Sequence, residues 1–156
     1  MQGTGTAVCL PADIDTDVVI AGRYLRTRDR GIWAAHVFED LNPTLAPRLR
    51  GAVIVAGKNF GCGSSREQAA LAIREAGVVA VIAPSFARIF FRNAINIGLP
   101  LIESDLTCEE GSTVVFDLSD GWVEAGGKRH TIRPLSSWMQ EILMAGGLVE
   151  YWRAHR

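Results

Sequence analysis

The sequence predicts an α/β domain: a mixed, partly parallel sheet with helices against it and a β-rich C-terminal part. Three observations carry that prediction. Residues 51–102 alternate apolar runs with helical stretches in a β-α-β-α-β rhythm, which demands parallel strands joined by crossovers. Residues 113–132 break into short segments divided by Asp120-Gly121 and Gly126-Gly127, the punctuation of hairpins. The length, 156 residues, suits one domain that buries roughly 70% of its unfolded surface. Residues 1–156 therefore read as a single domain, with no linker, internal repeat or low-complexity stretch.

Taken in order, residues 7–10 form a short apolar run ended by Pro11, and an acidic cluster follows: Asp13, Asp15 and Asp17 around Ile14 and Thr16. Val18-Val19-Ile20 reads as a second buried segment, closing at Ala21-Gly22. Gly31 to Phe38 reads as a short helix that ends before Asn42-Pro43. Ala52 to Gly57 is continuously apolar with a β-branched centre, the pattern of a strand covered on both faces. A Gly-rich turn, Lys58 to Gly63, leads into a helix expected from Ser64 or Ser65 to about Ala76, with Gly77 as its stop. Ser64 and Glu67 have the spacing of a capping box. Val78 to Ala83 is the next strand, Phe86 to Ile97 the next helix, and Leu101-Ile102 a further short strand. Strands over 113–118, 122–125 and 129–132 are expected as an insertion or second layer, and 136–152 as an amphipathic helical end interrupted at Gly146-Gly147.

Composition narrows the function classes. Hydrophobic residues at 48% and charged residues at 21% exclude a chain that is mainly disordered. Sixteen Lys+Arg against seventeen Asp+Glu leave a net charge of −1, so no basic excess is present to hold nucleic acid. No apolar run approaches the ~20 residues of a membrane span, and the N-terminus lacks the features of a secretory signal; the expected location is cytoplasmic. Cys9, Cys62 and Cys108, like His36, His130 and His155, are scattered without metal-ligand spacing, so no metal site is expected in this chain.

The distinctive stretch is Asn59-Phe60-Gly61-Cys62-Gly63-Ser64-Ser65-Arg66-Glu67. A strand delivers glycines that allow a tight turn and a close approach of backbone to ligand. Two hydroxyls then fall at a helix start, where free N–H groups and the positive end of the dipole favour an anion. Arg66 adds a fork-shaped donor suited to a carboxylate. In such a setting the alkoxide of Ser64 is stabilised, the direction that general-base work needs. An ordinary capped turn and a phosphate nest are the competing readings. The nest lacks the Lys of G-x-x-x-x-G-K-[ST] and the last glycine of G-x-G-x-x-G.

Phe60 to Glu67, Ser85-Phe86-Ala87-Arg88-Ile89-Phe90-Phe91-Arg92-Asn93, Gly98-Leu99-Pro100, and Asp15-Thr16-Asp17 followed by Tyr24-Leu25 together resemble the small subunit of 3-isopropylmalate dehydratase. The same unit resembles the mobile C-terminal domain of aconitases, and the likeness runs colinearly over residues 5–150. It implies the swivelling β/β/α three-layer fold and a hydro-lyase that isomerises a small 2-hydroxy acid by removing and re-adding water. It further implies a large subunit carrying a [4Fe–4S] cluster, bound by that partner and not by this chain, and homo-oligomer formation by the isolated chain. By motif position Ser64 is the proton-abstracting base, Ser65 and Arg66 hold substrate carboxylate, and Asp17 supports the acid/base network. Gln68 departs from the His common at that place in the family.

Tyr24-Leu25-Arg26-Thr27 falls where this family's substrate-recognition loop lies. An apolar third residue suits an isopropyl arm; Arg26 suits an arm ending in carboxylate, as in a homoaconitase-like or broad-specificity enzyme, because an unpaired guanidinium against an isopropyl group costs on the order of a kcal/mol. Arg26 turned to solvent within a basic loop of Arg23, Arg28 and Arg30 is the plain alternative. Related dimethylmalate or maleate hydratases and a non-catalytic anion-binding module complete the set. Arg88 and Arg92 read as ion-paired scaffold, Cys62 as a packing residue, and His36 as a satisfied polar group at a helix end. Trp138, Tyr151 and Trp152 read equally as core or as interface with the large subunit.

Overall fold

β2 (Ala52–Ala56) is buried at all five positions because it runs between parallel neighbours and is covered on both faces. The computed structural model describes residues 1–156. β1 (Gln2–Leu10) lies on one side of β2, and β3 (Ala80–Ala83) followed by β4 (Leu101–Glu103) on the other. All these pairings are parallel, with Val8 opposite Ile54, Ile54 opposite Val81, and Val81 opposite Leu101. α3 (Glu67–Glu75) and α4 (Arg88–Asn96) are the crossovers, as the β-α-β-α-β rhythm predicts.

The antiparallel strands β5 (Thr113–Asp117), β6 (Trp122–Ala125) and β7 (Lys128–Thr131) are no insertion but continue the same sheet. β5 pairs with the first half of β1, Gly3 opposite Phe116, so one sheet of seven strands runs β4-β3-β2-β1-β5-β6-β7. β1 thus extends five residues upstream of the apolar run 7–10. Its glycines hide that extension: a Cβ on Gly3 would lie 2.3 Å from the Phe116 ring, so the covered face carries no apolar side chain to read. The sheet curls until its two edge strands line one cleft, with Glu103 and Ser104 on one wall and His130 to Arg133 on the other. The curl turns one sheet into the two β layers expected of a β/β/α arrangement.

Alternation along the strands builds two cores. Val8, Ile54, Val81 and Leu101 face Val19, Trp33, Ile73 and Phe90 from the helices α1 (Thr16–Val19), α2 (Arg30–His36), α3 and α4. Val53, Val55 and Ile82 instead meet Phe116, Val123, Ile142, Leu143 and Tyr151, the last three from α5 (Ser137–Ala145) and α6 (Leu148–Ala154). Truncating a side chain such as Ile54, fully buried, costs about 2–5 kcal/mol. Tyr151 belongs to this core, while Trp138 and Trp152 stand about half exposed. Val18-Val19-Ile20 is buried in its last two residues, within and just after the single turn α1.

Candidate active site

Three loops leave the C-terminal ends of the parallel strands and are stitched together by backbone. After β1, Asp13 N–H donates to Lys58 O at 2.8 Å, Gly61 N–H to Ile14 O at 2.8 Å, and Thr16 N–H to Cys62 O at 2.8 Å. After β2, Phe60 N–H donates to Ser85 O at 3.1 Å, and Ala87 N–H returns to Phe60 O at 3.0 Å, which ties in the loop after β3. The Ser85 hydroxyl accepts from Asn59 N–H at 2.9 Å, and the Asn59 amide donates to Asp13 Oδ1 at 3.0 Å. Phe60 is wholly buried, edge-on to Phe90 at 5.4 Å. The glycines of this turn are required by space as well as by backbone angle. Gly61 (φ +85°) lies under Phe90, where a Cβ would sit 2.3 Å from the ring; on Gly63 (φ +98°) a Cβ would sit 2.6 Å from the Asp15 carboxylate oxygens.

α3 begins at Glu67, not at Ser64 or Ser65, and Arg66 at its N-cap makes no side-chain capping bond, so the capping box expected between Ser64 and Glu67 is absent. The reason is tertiary. The carbonyl oxygens that would open the helix earlier are taken: Ser64 O accepts from the Thr16 hydroxyl at 3.2 Å, and Ser65 O from the Asn93 amide of α4 at 3.3 Å. Ser64 and Ser65 are consequently held on an exposed rim just before the helix. The N–H groups of residues 64–68 donate to nothing else in the protein, leaving a run of unsatisfied amides at the positive end of the α3 dipole.

Thr16 is 1% exposed, and its hydroxyl also lies 3.1 Å from Ser64 Oγ. A buried, immobile hydroxyl therefore orients a solvent-facing one. Arg66 meets Asp17 at 2.6 Å, so two of the residues singled out by motif position adjoin. The contact is ionic without an aligned hydrogen bond, and the rest of the guanidinium fork is free for an incoming carboxylate. Burial, with the charges of Asp15 and Asp13, pushes the Cys62 thiol up, which keeps it neutral and a poor nucleophile beside the serines.

Arg26 lies beyond the short 3-10 turn Gly22–Tyr24, exposed, with no ion pair or hydrogen bond. Arg28 is likewise exposed and unpaired, whereas the other two arginines of the loop are not. Arg23 pairs with Glu39 at 2.9 Å and Asp40 at 2.7 Å, and Arg30 with Glu75 at 3.4 Å. The loop is therefore not simply basic; two of its four guanidinium groups are neutralised. Tyr24 stacks on His36 at 4.2 Å and donates to Glu39 at 2.6 Å, and His36 bonds Glu39 through Nδ1, so His36 is a satisfied group at the end of α2. These donors, Tyr24 first, hold the Glu39 carboxyl at about 2.

In the sequence Thr16 stands out only as a member of the acidic cluster and its motif, Asn93 only as a motif residue, and Glu39 not at all. The position of Thr16 between two Asp residues was the one local signal. Arg88 and Arg92 are not the ion-paired scaffold expected of them; neither has an acidic partner, and both line an open cleft of about 380 Å³ with Phe86, Glu103 and Trp138. No three His, Cys, Asp or Glu side chains converge as metal ligands would. No helix is long and apolar enough to cross a membrane.

Residues 14–105 match the model of the aconitase C-terminal domain. The chain is 50% identical over 143 residues to the methanogen homoaconitase small subunit of Methanothermobacter thermautotrophicus, covering 90% of this chain and 84% of that one. It is 52% identical over 145 residues to the 3-isopropylmalate dehydratase small subunit of Moorella thermoacetica, covering 89% and 87%. The crystal structure of 3-isopropylmalate dehydratase from Methanocaldococcus jannaschii superposes with a TM-score of 0.91 at 43% identity, over 99% of this chain and 95% of that one. The curled seven-stranded sheet is thus the aconitase C-terminal swivel-domain fold.

Proposed function

The chain belongs to the family of 3-isopropylmalate dehydratase and homoaconitase small subunits, built on the aconitase C-terminal domain, and from that premise we propose that it supplies the base and the carboxylate cradle of a hydro-lyase. The supporting observation is the rim on which the exposed Ser64 hydroxyl, oriented by buried Thr16, stands beside a run of unpaired amides and the Arg66 fork.

On this reading a substrate carboxylate docks on Ser65, the free amides and Arg66. Asp17, now beside the guanidinium, fixes its direction and shares its charge. Ser64 Oγ takes the proton from the adjacent carbon as an alkoxide stabilised by the same amides. Hydroxide leaves the neighbouring carbon and takes a proton from solvent to become water; on re-addition in the other sense water gives that proton back to solvent as its hydroxide bonds to carbon, and the alcohol of Ser64 returns its proton to the other carbon. The [4Fe–4S] cluster of the family is assigned to the large subunit, where it supplies Lewis-acid chemistry; this chain's residues bind, orient and move the proton. The reaction is the interconversion of 2- and 3-isopropylmalate.

A second reading has its own observation. Arg26, like Arg28, is an unpaired guanidinium of a loop whose Arg23 and Arg30 are neutralised, and it suits a substrate arm ending in carboxylate, as in a homoaconitase-type or broad-specificity subunit. Anaerobic reconstitution with the large subunit, scanning isopropylmalate, homocitrate and other small hydroxy diacids by absorbance of the unsaturated intermediate, separates the two. Turnover of isopropylmalate alone supports the first reading, and turnover of the carboxylate-armed substrate the second. Anion binding without turnover of any of them overturns both.

A further inference from the structure

Outside the candidate site, the thiol of one free cysteine lies against the backbone of another. The segment joining β4 to β5 runs beside β1: Ala7 N–H donates to Ser112 O at 2.8 Å, and Gly111 N–H to Ala7 O at 2.9 Å. Further along, Cys9 N–H donates to Glu110 Oε2 at 2.6 Å, and the Cys9 thiol donates to Cys108 O at 3.4 Å. Cys9 is exposed, Cys108 half-buried, and both are free. Cys62, the third thiol, sits in the candidate-site loop, bridged through its backbone to Asp15.

We infer that Cys9 and Cys108 are a reversible disulfide site, closed by exchange with a small disulfide of the glutathione class. One thiol of the pair, once ionised, attacks one sulfur of the small disulfide, whose S–S bond breaks and releases one small thiolate. The other then loses its proton to solvent and attacks the protein sulfur of that mixed disulfide, expelling the second small thiolate. Two protein thiols are oxidised by two electrons, and one small disulfide is reduced to two thiols. Although Cys9 is exposed as a residue, its sulfur lies against the Cys108 carbonyl, and desolvation there, with the charges of Cys108 and Glu110, pushes the Cys9 thiol up. The bridge would fasten β1, the strand that leads into Asp13–Asp17, to the segment before β5.

The test equilibrates the full chain in graded mixtures of reduced and oxidised glutathione, blocks free thiols with N-ethylmaleimide, and reads intact and peptide masses. At the oxidising end we expect one blocked cysteine per chain, Cys62, and a cross-linked peptide containing Cys9 and Cys108, both reversed by reduced glutathione. Cys108→Ser and Cys9→Ser each remove the cross-link and leave the remaining thiol of the pair as a mixed disulfide with glutathione. Three blocked cysteines throughout the series, a bridge that includes Cys62, or a bridge between two chains would overturn the assignment.

Discussion

The two halves of this sheet share a core yet carry unequal chemistry. In the parallel half, each of β1, β2 and β3 ends in a loop that must travel to a helix, and those loops bring Thr16, Asp17, Ser64, Ser65 and Arg66 together. In the antiparallel half, β6 turns into β7 through Gly126-Gly127 alone, which leaves no length of chain on which to hang a side chain. The lesson is one of connection. A crossover frees polar backbone at the carboxyl ends of strands, and a hairpin spends its own backbone on the ladder.

The largest effect that sharpens this contrast is Ser64→Ala. Turnover with the large subunit should fall at least roughly a thousandfold, in the range of lost general-base catalysis, while circular dichroism and co-elution with the partner stay as in wild type. Retained turnover would move the base elsewhere.

Next comes a paired glycine substitution. Gly61→Ala must drive a methyl into the Phe90 ring at a backbone angle of φ +85° and should cost roughly 2–4 kcal/mol. Gly126→Ala, at φ +58° with open space around it, should cost only about 1 kcal/mol. Thermal unfolding of both reads the difference directly; equal losses would erase the distinction between a turn shaped by packing and one shaped by backbone angle alone.

Thr16→Val keeps the shape but removes the hydroxyl beside Ser64, and should lower kcat roughly 10–100-fold with little change in KM, as expected when a reacting group is misplaced. Thr16→Ser should restore most of it. Arg26→Val should shift relative kcat/KM toward the isopropyl substrate by on the order of tenfold, measured with both substrates in one reconstituted preparation.

The smallest effect is an acid one. Glu39 is held near 2, below its ordinary 4.5, so it contributes stability that is present above about 4.5 and fades as pH falls toward 2. Wild type should therefore outlast Glu39→Gln in thermal unfolding at pH 6, and the gap should close progressively between pH 4.5 and pH 2. A gap independent of pH would assign the difference to the amide's packing instead.

Local text was enough wherever a local rule decides. The apolar run of β2, the crossover rhythm, the glycine pairs of the hairpins and the Gly-x-Gly-Ser-Ser-Arg motif are all legible because periodicity and turn chemistry act over a few residues. The sequence by itself therefore determined the α/β class and the serines worth examining. What only tertiary structure decided depends on residues far apart along the chain. Thr16 and Asn93 take the carbonyls of Ser64 and Ser65 and so delay the start of α3, and Gly3 slips beneath Phe116 to join two half-sheets into one. Those contacts exist only once strands β1 and β2 and helix α4 are side by side, and no short-range preference encodes them.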